Sequence, residues 1–197
     1  YRAAHTLMRK ELAVKVLLPE FSCLESVVRR FQREAQSASR LDHPNIVHIN
    51  DCGRTSEGQL FLALEFLPGR SLTDLIRNDA PLPPVRAVKI ALQLCQALDH
   101  AHSLGVVHRD LKPDNVMVLK RHDGEEHVKI LDFGIAKIMD APSLTGSQQI
   151  FGTPGYIAPE YIQSTEIDGR ADLYSLGVIL YEMLTGALPF DYEYPGD

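Results

Sequence analysis

Positive charge, cysteine and long apolar runs are all in short supply in this chain, and each shortage removes a class of function. The formal net charge is −6; a reader of phosphate backbones needs a basic face, which argues against general nucleic-acid binding. Any nucleotide must be held by a few placed cations. Cys23, Cys52 and Cys95 are scattered, odd in number and without metal-like spacing, which argues against a disulfide framework and fits a reducing compartment. They are expected to be buried free thiols. The most apolar run, residues 173–184, is broken by Ser175 and Glu182 and is too short to span a bilayer. No signal peptide, internal repeat or low-complexity tract is found either. With 45% hydrophobic and 23% charged residues over 197 positions, the composition is that of an ordinary folded protein with a sizeable core.

Two stretches organise the chain: residues 107–115, V-H-R-D-L-K-P-D-N, and residues 130–134, I-L-D-F-G. Ahead of the first, Ala87, Ile90, Ala91, Leu94, Ala97, Leu98 and Ala101 recur at helical spacing and Gly105 closes the pattern, so a core-facing helix ends before Val106. A loop follows. Pro113 removes a backbone donor and turns Lys112 away from helical angles, which predicts an irregular, fixed path from Asp110 to Asn115. Residues 116–119 then read as a strand and residues 128–131 as its partner, across a turn at Asp123 and Gly124. Such a hairpin brings Asn115 and Asp132 together. An amide oxygen beside a carboxylate is a hard-oxygen set of the kind Mg²⁺ accepts, and Asp110, Lys112, Asn115 and Asp132 fall where one anion with its metal ions meets all four.

Upstream, residues 1–3 and 11–18 read as two strands of a hairpin, the second apolar on both faces except for Lys15. A helix over 24–40 sets Val27, Phe31, Glu34, Ala38 and Leu41 along one face, which puts Glu34 on the apolar stripe. A lone lysine is usually one whose stem lies on apolar surface with its head in water. A glutamate on the buried side tips the balance towards a Lys15–Glu34 pair, because each would neutralise the other's burial. Residues 41–49 turn at Pro44 into a strand, and residues 60–66 form the next after a turn at Glu57-Gly58, completing a small, largely antiparallel sheet with one helix. Pro68-Gly69 ends it; Ser71 is placed to cap a short helix over 72–78, and Pro83-Pro84 introduce the long one. Beyond Gly134 a stretch of mixed polarity runs through Tyr156, carrying Ser143, Thr145, Ser147 and Thr153; long loops in compact domains are usually functional or mobile. Asp172 stands as a cap before an apolar helix over 173–184, the charged turn 120–126 reads as a solvated loop, and His100 and His102, two apart on a helix, are rejected as a metal pair.

Residues 108–115 (H-R-D-L-K-P-D-N), 132–134 (D-F-G) and 158–160 (A-P-E), in that order, resemble the signature set of the protein kinase family. One triplet alone is weak; the ordered combination is strong, and the resemblance covers essentially the whole chain. The Lys-Pro of the first motif, the P-E-Y-I around Glu160 and the D-L-Y-S-L-G-V-I-L-Y-E-M-L-T-G from Asp172 look most like bacterial serine/threonine kinases of eukaryotic type. The resemblance implies an α+β, bilobal fold. An incomplete N-lobe of antiparallel sheet and one helix would occupy residues 1–66, and an incomplete, mainly helical C-lobe residues 67–197, with an activation segment at 132–160. The family's glycine-rich loop would lie before Tyr1, and its last helices, with the arginine that pairs Glu160, beyond Asp197. The implied chemistry is transfer of the γ-phosphoryl group of ATP, with Mg²⁺ or alternatively Mn²⁺, to serine or threonine hydroxyls of protein substrates in signalling. The implied location is cytoplasmic, either free or as the cytosolic domain of a larger membrane-anchored protein, with no nucleic-acid partner and no membrane segment in this chain.

Residue by residue, the resemblance assigns Asp110 to the hydroxyl proton, Lys112 to the transferring phosphate, Asn115 and Asp132 to the metal ions, and Lys15, kept by Glu34, to the α- and β-phosphates. Ala13, Leu64, Met117 and the backbone of Glu65 and Leu67 would hold the adenine, with Leu64 as gatekeeper; taken alone, Leu64 is a core residue. Arg109 would pair a phosphate on Ser143, Thr145 or Ser147, the alternative being a structural contact. Thr153 falls on the substrate side. His108 packs beside Phe133, Glu160 is structural, and Asp172 braces the loop through its backbone amides. A pseudokinase scaffold would be signalled by loss of Lys15, Asp110 or Asp132, and none is lost. A small-molecule kinase would lack the A-P-E segment and the loop of Thr153.

Overall fold

The structure is a computed structural model that describes residues 1–133, 155–163 and 167–190, with the side chains of Glu34, Ile162 and Gln163 outside the description. Strands β1 (Arg2–Ala4) and β2 (Glu11–Val16) form the expected hairpin. β3 (Ile49–Arg54) and β4 (Leu60–Glu65) add to it, giving an antiparallel sheet in the order β1-β2-β4-β3, with Ala13 opposite Leu64 and Lys15 opposite Leu62. Gly58 takes the positive φ of 83° that the turn between β3 and β4 requires. A short helix α1 (Pro19–Ser22), not foreseen, precedes α2 (Glu25–Ala38). Val27, Phe31 and Ala35 of α2 pack on Leu60, Leu62 and Leu64 of β4, each large side chain contributing roughly 1.5–3 kcal/mol by leaving water.

The strand expected after Pro44 begins only at Ile49. Residues 43–48 are instead a connection knitted to the far side of the molecule. Val47 N–H donates to the Ile130 carbonyl (2.9 Å), Ile130 N–H to that of Asn45 (2.8 Å), and the Asn45 amide to the Val128 carbonyl (2.7 Å). Pro44 has no N–H for a ladder, and the side chain of Asn45, 4% exposed, takes up the pairing instead.

β5 (Arg70–Ser71), β6 (Val116–Lys120) and β7 (Glu126–Ile130) form a second sheet in that order. Helix α3 (Leu72–Asp79) starts where Ser71 Oγ accepts the Asp74 N–H (3.0 Å), as expected. Helix α4 (Pro84–Ser103) buries Ala87, Ile90, Ala91, Leu94, Ala97, Leu98 and Ala101, the stripe seen in the sequence. Its alanines allow close approach to α6 (Arg170–Thr185) and to the β6–β7 hairpin, and the shared core also takes in Leu41 at the foot of α2. A four-residue helix α5 (Glu160–Gln163) lies between.

Two further expectations are corrected and one is extended. Helix α6 begins at Arg170, a turn earlier than the apolar run, because Asp168 accepts the Arg170 N–H (2.9 Å); Asp172 is therefore inside the first turn and is not the cap. The turn between β6 and β7 is exposed, as expected, and is in addition held by Arg86, which binds Glu126 with two bonds (2.9 and 2.7 Å), and by Lys89, which pairs Glu125 (3.1 Å). All three cysteines are free, as expected, but exposed rather than buried. Among the described residues no helix is long and apolar enough to cross a membrane.

Candidate active site

Gly105, at φ 72°, releases the chain from α4 into the loop that precedes the turn of 3-10 helix at Pro113–Asn115. His108 is wholly buried. Its Nδ1 accepts the Asp110 N–H (3.3 Å), so Nε2 carries the proton and donates to the Leu131 carbonyl (2.7 Å), while the ring meets Phe133 edge-on at 4.8 Å. His108 thus packs beside Phe133 and joins the two motifs. The buried Asp172 carboxylate accepts the N–H groups of His108 (2.8 Å) and Arg109 (2.9 Å), as the brace required. It also binds His102 Nε2 (2.8 Å), which the sequence reading did not foresee. Arg109 and Asp132 both sit at positive φ, 70° and 59°, conformations that cost a non-glycine residue roughly 1–3 kcal/mol each and persist only where neighbours over-determine them.

Asp110, Lys112 and Asn115 are joined directly, and Asp132 is set next to Asn115 through the backbone. Lys112 Nζ lies 3.1 Å from Asp110 Oδ2. Asn115 Nδ2 donates to the Asp110 carbonyl (2.8 Å), and the Asn115 carbonyl receives the Leu131 N–H (2.8 Å), which sets Asp132 beside it. Lys15 Nζ forms an ion pair with Asp132 Oδ2. The other oxygen, Asp132 Oδ1, is buried with no hydrogen-bond partner among the described residues. Lys15 itself is corrected: its side chain is 49% exposed, so it is a half-exposed lysine held by Asp132 rather than a buried one needing rescue. The side chain of Glu34, its expected partner, lies outside the described residues.

Leu64, 4% exposed, lines a small apolar cavity with Leu41, Ile46 and Val47 that opens on Asp132. Ala13 and Met117 are half-buried. The Glu65 N–H donates to the His48 carbonyl (3.0 Å), while its carboxylate takes the His48 N–H (2.7 Å) and Lys129 Nζ (2.6 Å). Lys129 was not foreseen either. It joins the end of β4 to β7.

Arg109 Nε is buried without a partner among the described residues. Ser143, Thr145, Ser147 and Thr153 lie outside them. Glu160, half-buried, opens α5, and next to it the Tyr161 hydroxyl reaches the Arg109 carbonyl (3.2 Å). Burial first, and then the Asp172 charge, push the Tyr161 phenol above its usual range.

A family profile described as the protein kinase domain matches residues 1–195. The serine/threonine-protein kinase pkn3 of Myxococcus xanthus is 45% identical over 197 residues, covering 98% of this chain and 36% of that protein. The serine/threonine-protein kinase PknB of Mycobacterium leprae is 41% identical, covering 95% and 30%, and PrkC of Bacillus subtilis 37%, covering 98% and 29%. The chain spans roughly a third of the length of these curated relatives. Among solved structures, the crystal structure of the Mycobacterium tuberculosis PknI kinase domain superposes with a TM-score of 0.75 at 35% identity, over 97% of this chain and 70% of that one. The chain belongs to the protein kinase family.

Proposed function

We propose that this chain is the catalytic part of a bacterial-type serine/threonine protein kinase that transfers the γ-phosphoryl group of ATP to hydroxyls of protein substrates. One set of observations carries the reading: Lys112 and Asn115 gather on Asp110, Lys15 pairs Asp132, the Leu131 N–H to Asn115 carbonyl bond sets Asp132 next to Asn115, and the buried Asp132 Oδ1 has no donor among the described residues. A carboxylate oxygen withdrawn from water and left unpaired fits a hard cation. Asp132 and Asn115 would hold it, with Mg²⁺ as the proposed ion and Mn²⁺ as its substitute; bound there, the metal neutralises charge on the phosphates. Lys15 supplies the cation for the α- and β-phosphates, with Glu34 as its proposed second partner. Asp110 orients the acceptor hydroxyl and takes its proton, and Lys112 beside it steadies the transferred group. Positioning and electrostatics do nearly all the work in such a transfer.

Ala13, Leu64 and Met117 are the proposed apolar walls for the adenine. Because the Glu65 N–H is spent on His48, the Glu65 carbonyl and the Leu67 N–H are the proposed polar edge. Arg109, whose buried Nε has no partner among the described residues, is proposed to receive a phosphate on Ser143, Thr145 or Ser147, with Thr153 facing the substrate and Glu160 structural. The lobes divide at 66/67, with an activation segment at 132–160. The net charge of −6 supports protein rather than nucleic-acid substrates, and the proposed location is the cytoplasm.

The test is transfer of labelled phosphate from ATP with Mg²⁺ by the full-length protein, to itself and to a generic serine/threonine substrate, beside Asp110→Asn and Asp132→Asn. Transfer should fall by at least about 10²-fold in both variants, with nucleotide still bound by Asp110→Asn. A folded, ATP-binding protein that transfers nothing would overturn the reading.

A further inference from the structure

Arg109 sits at φ 70°, directly before the proposed base, and the peptide unit joining it to Asp110 is held at both ends. The N–H end, from Asp110, reaches His108 Nδ1 at 3.3 Å. The carbonyl end, from Arg109, receives the phenolic hydroxyl of Tyr161 at 3.2 Å. Both bonds are long and neither alone is strong. A peptide plane tethered at one end can rock; tethered at both it has one orientation, and the Cα of Asp110 is fixed with it.

Tyr161 comes from far along the chain. It is the second residue of α5, directly after Glu160, and is half-buried. Its phenol is kept protonated by burial, so the hydroxyl is available as a donor throughout the neutral range. No role falls to it in the kinase motifs, yet it touches the residue whose strain must be absorbed for Asp110 to face the substrate.

We propose that Tyr161 is a positioning residue: its hydroxyl fixes the Arg109–Asp110 peptide and therewith the aim of the Asp110 carboxylate, so that the seating of α5 is felt at the site of phosphate transfer. The proposal rests on the kinase reading above. It predicts a defect in turnover that follows the hydroxyl and not the ring.

The experiment compares Tyr161→Phe and Tyr161→Ala with wild type in the full-length protein, with Asp110→Asn as the inactive control. ATP affinity is measured by binding of a fluorescent ATP analogue, kcat is expressed per nucleotide-binding site, and thermal midpoints are recorded alongside. Tyr161→Phe should lose about 3–10-fold in kcat, the range one neutral hydrogen bond supports, with KM for ATP within about twofold and the midpoint unchanged. Tyr161→Ala should lose as much kcat per site and also lower the midpoint, because the ring is gone. If Phe restores wild-type kcat while Ala does not, or if KM and kcat fall together, Tyr161 merely packs and the proposal is wrong. A wild type no more active than Asp110→Asn sinks the kinase reading and this proposal with it, whereas an active wild type with an equally active Tyr161→Phe sinks only the latter.

Discussion

A single carboxylate, Asp172, carries an unusual share of the site's geometry. At 1% exposure it pairs with no arginine or lysine side chain among the described residues, and three N–H donors there satisfy it: the His102 ring and the amides of His108 and Arg109. Removing the side chain strands two buried amides, each costing about 1–3 kcal/mol, and frees the strained Arg109 to relax. Asp172→Ala should therefore lose about 3–5 kcal/mol in a urea melt and most of its phosphate transfer. Asp172→Asn, which keeps one acceptor oxygen but sets an NH₂ group against donors, should fall between. An alanine variant as stable as wild type would show that the loop needs no brace. The sequence marked Asp172 as a brace through the resemblance alone, and as a cap by position; the cap reading failed because Asp168 intercepts the helix start. His102 and Tyr161 had no local signature at all, since their partners lie 70 and 52 residues away and no periodicity encodes such a meeting.

Elements were legible in proportion to how far their own sequence decided them. The buried stripe of helix α4 was read residue by residue because a stripe of alanines and leucines can be buried in only one rotation. Helix α3 was read from its cap, and there the reading can be tested. Ser71→Ala removes the acceptor for the Asp74 N–H and should cost about 1 kcal/mol, seen as a lower urea midpoint with an unchanged slope. No change would mean that packing of the buried Leu72 and Leu75 alone sets the start of α3. The strand after Pro44 was misplaced because its neighbours, not its composition, decide the matter: β7 claims the backbone of Asn45 and Val47. Lys15 was misjudged for a related reason. Its place in a strand was correct, but a strand pattern does not say that Asp132 lies within its reach, and the charge is answered there at half exposure.

At the scale of the whole molecule, the connection 43–48 and the β6–β7 hairpin are the places where the two sheets are tied, and both depend on pH. The His43 ring stacks on His100 of α4 at 5.3 Å, with His127 and Lys129 of β7 also facing it, and its Nδ1 accepts the Asn45 N–H (3.1 Å). Burial first, then the His100, Lys129 and His127 charges, hold its pKa below the ordinary 6.5; a proton on Nδ1 would also break the Asn45 bond. A pKa lowered by folding means that the unfolded chain takes the proton first, so stability present above pH 6.5 is lost as pH falls below it. Glu126 works in the same direction lower down. The Arg86 hydrogen bonds hold its carboxyl below the ordinary 4.5 against burial, so its contribution is present above that value and disappears as pH falls through the folded one. The urea midpoint should therefore decline in two stages, one setting in as pH falls below about 6.5 and another below about 4.5. His43→Asn should flatten the first stage and leave the second, and Glu126→Gln should do the reverse. A midpoint flat from pH 7 to 5.5 in wild type, or a first stage that survives His43→Asn, would show that the stacked histidines do not govern the join between the sheets.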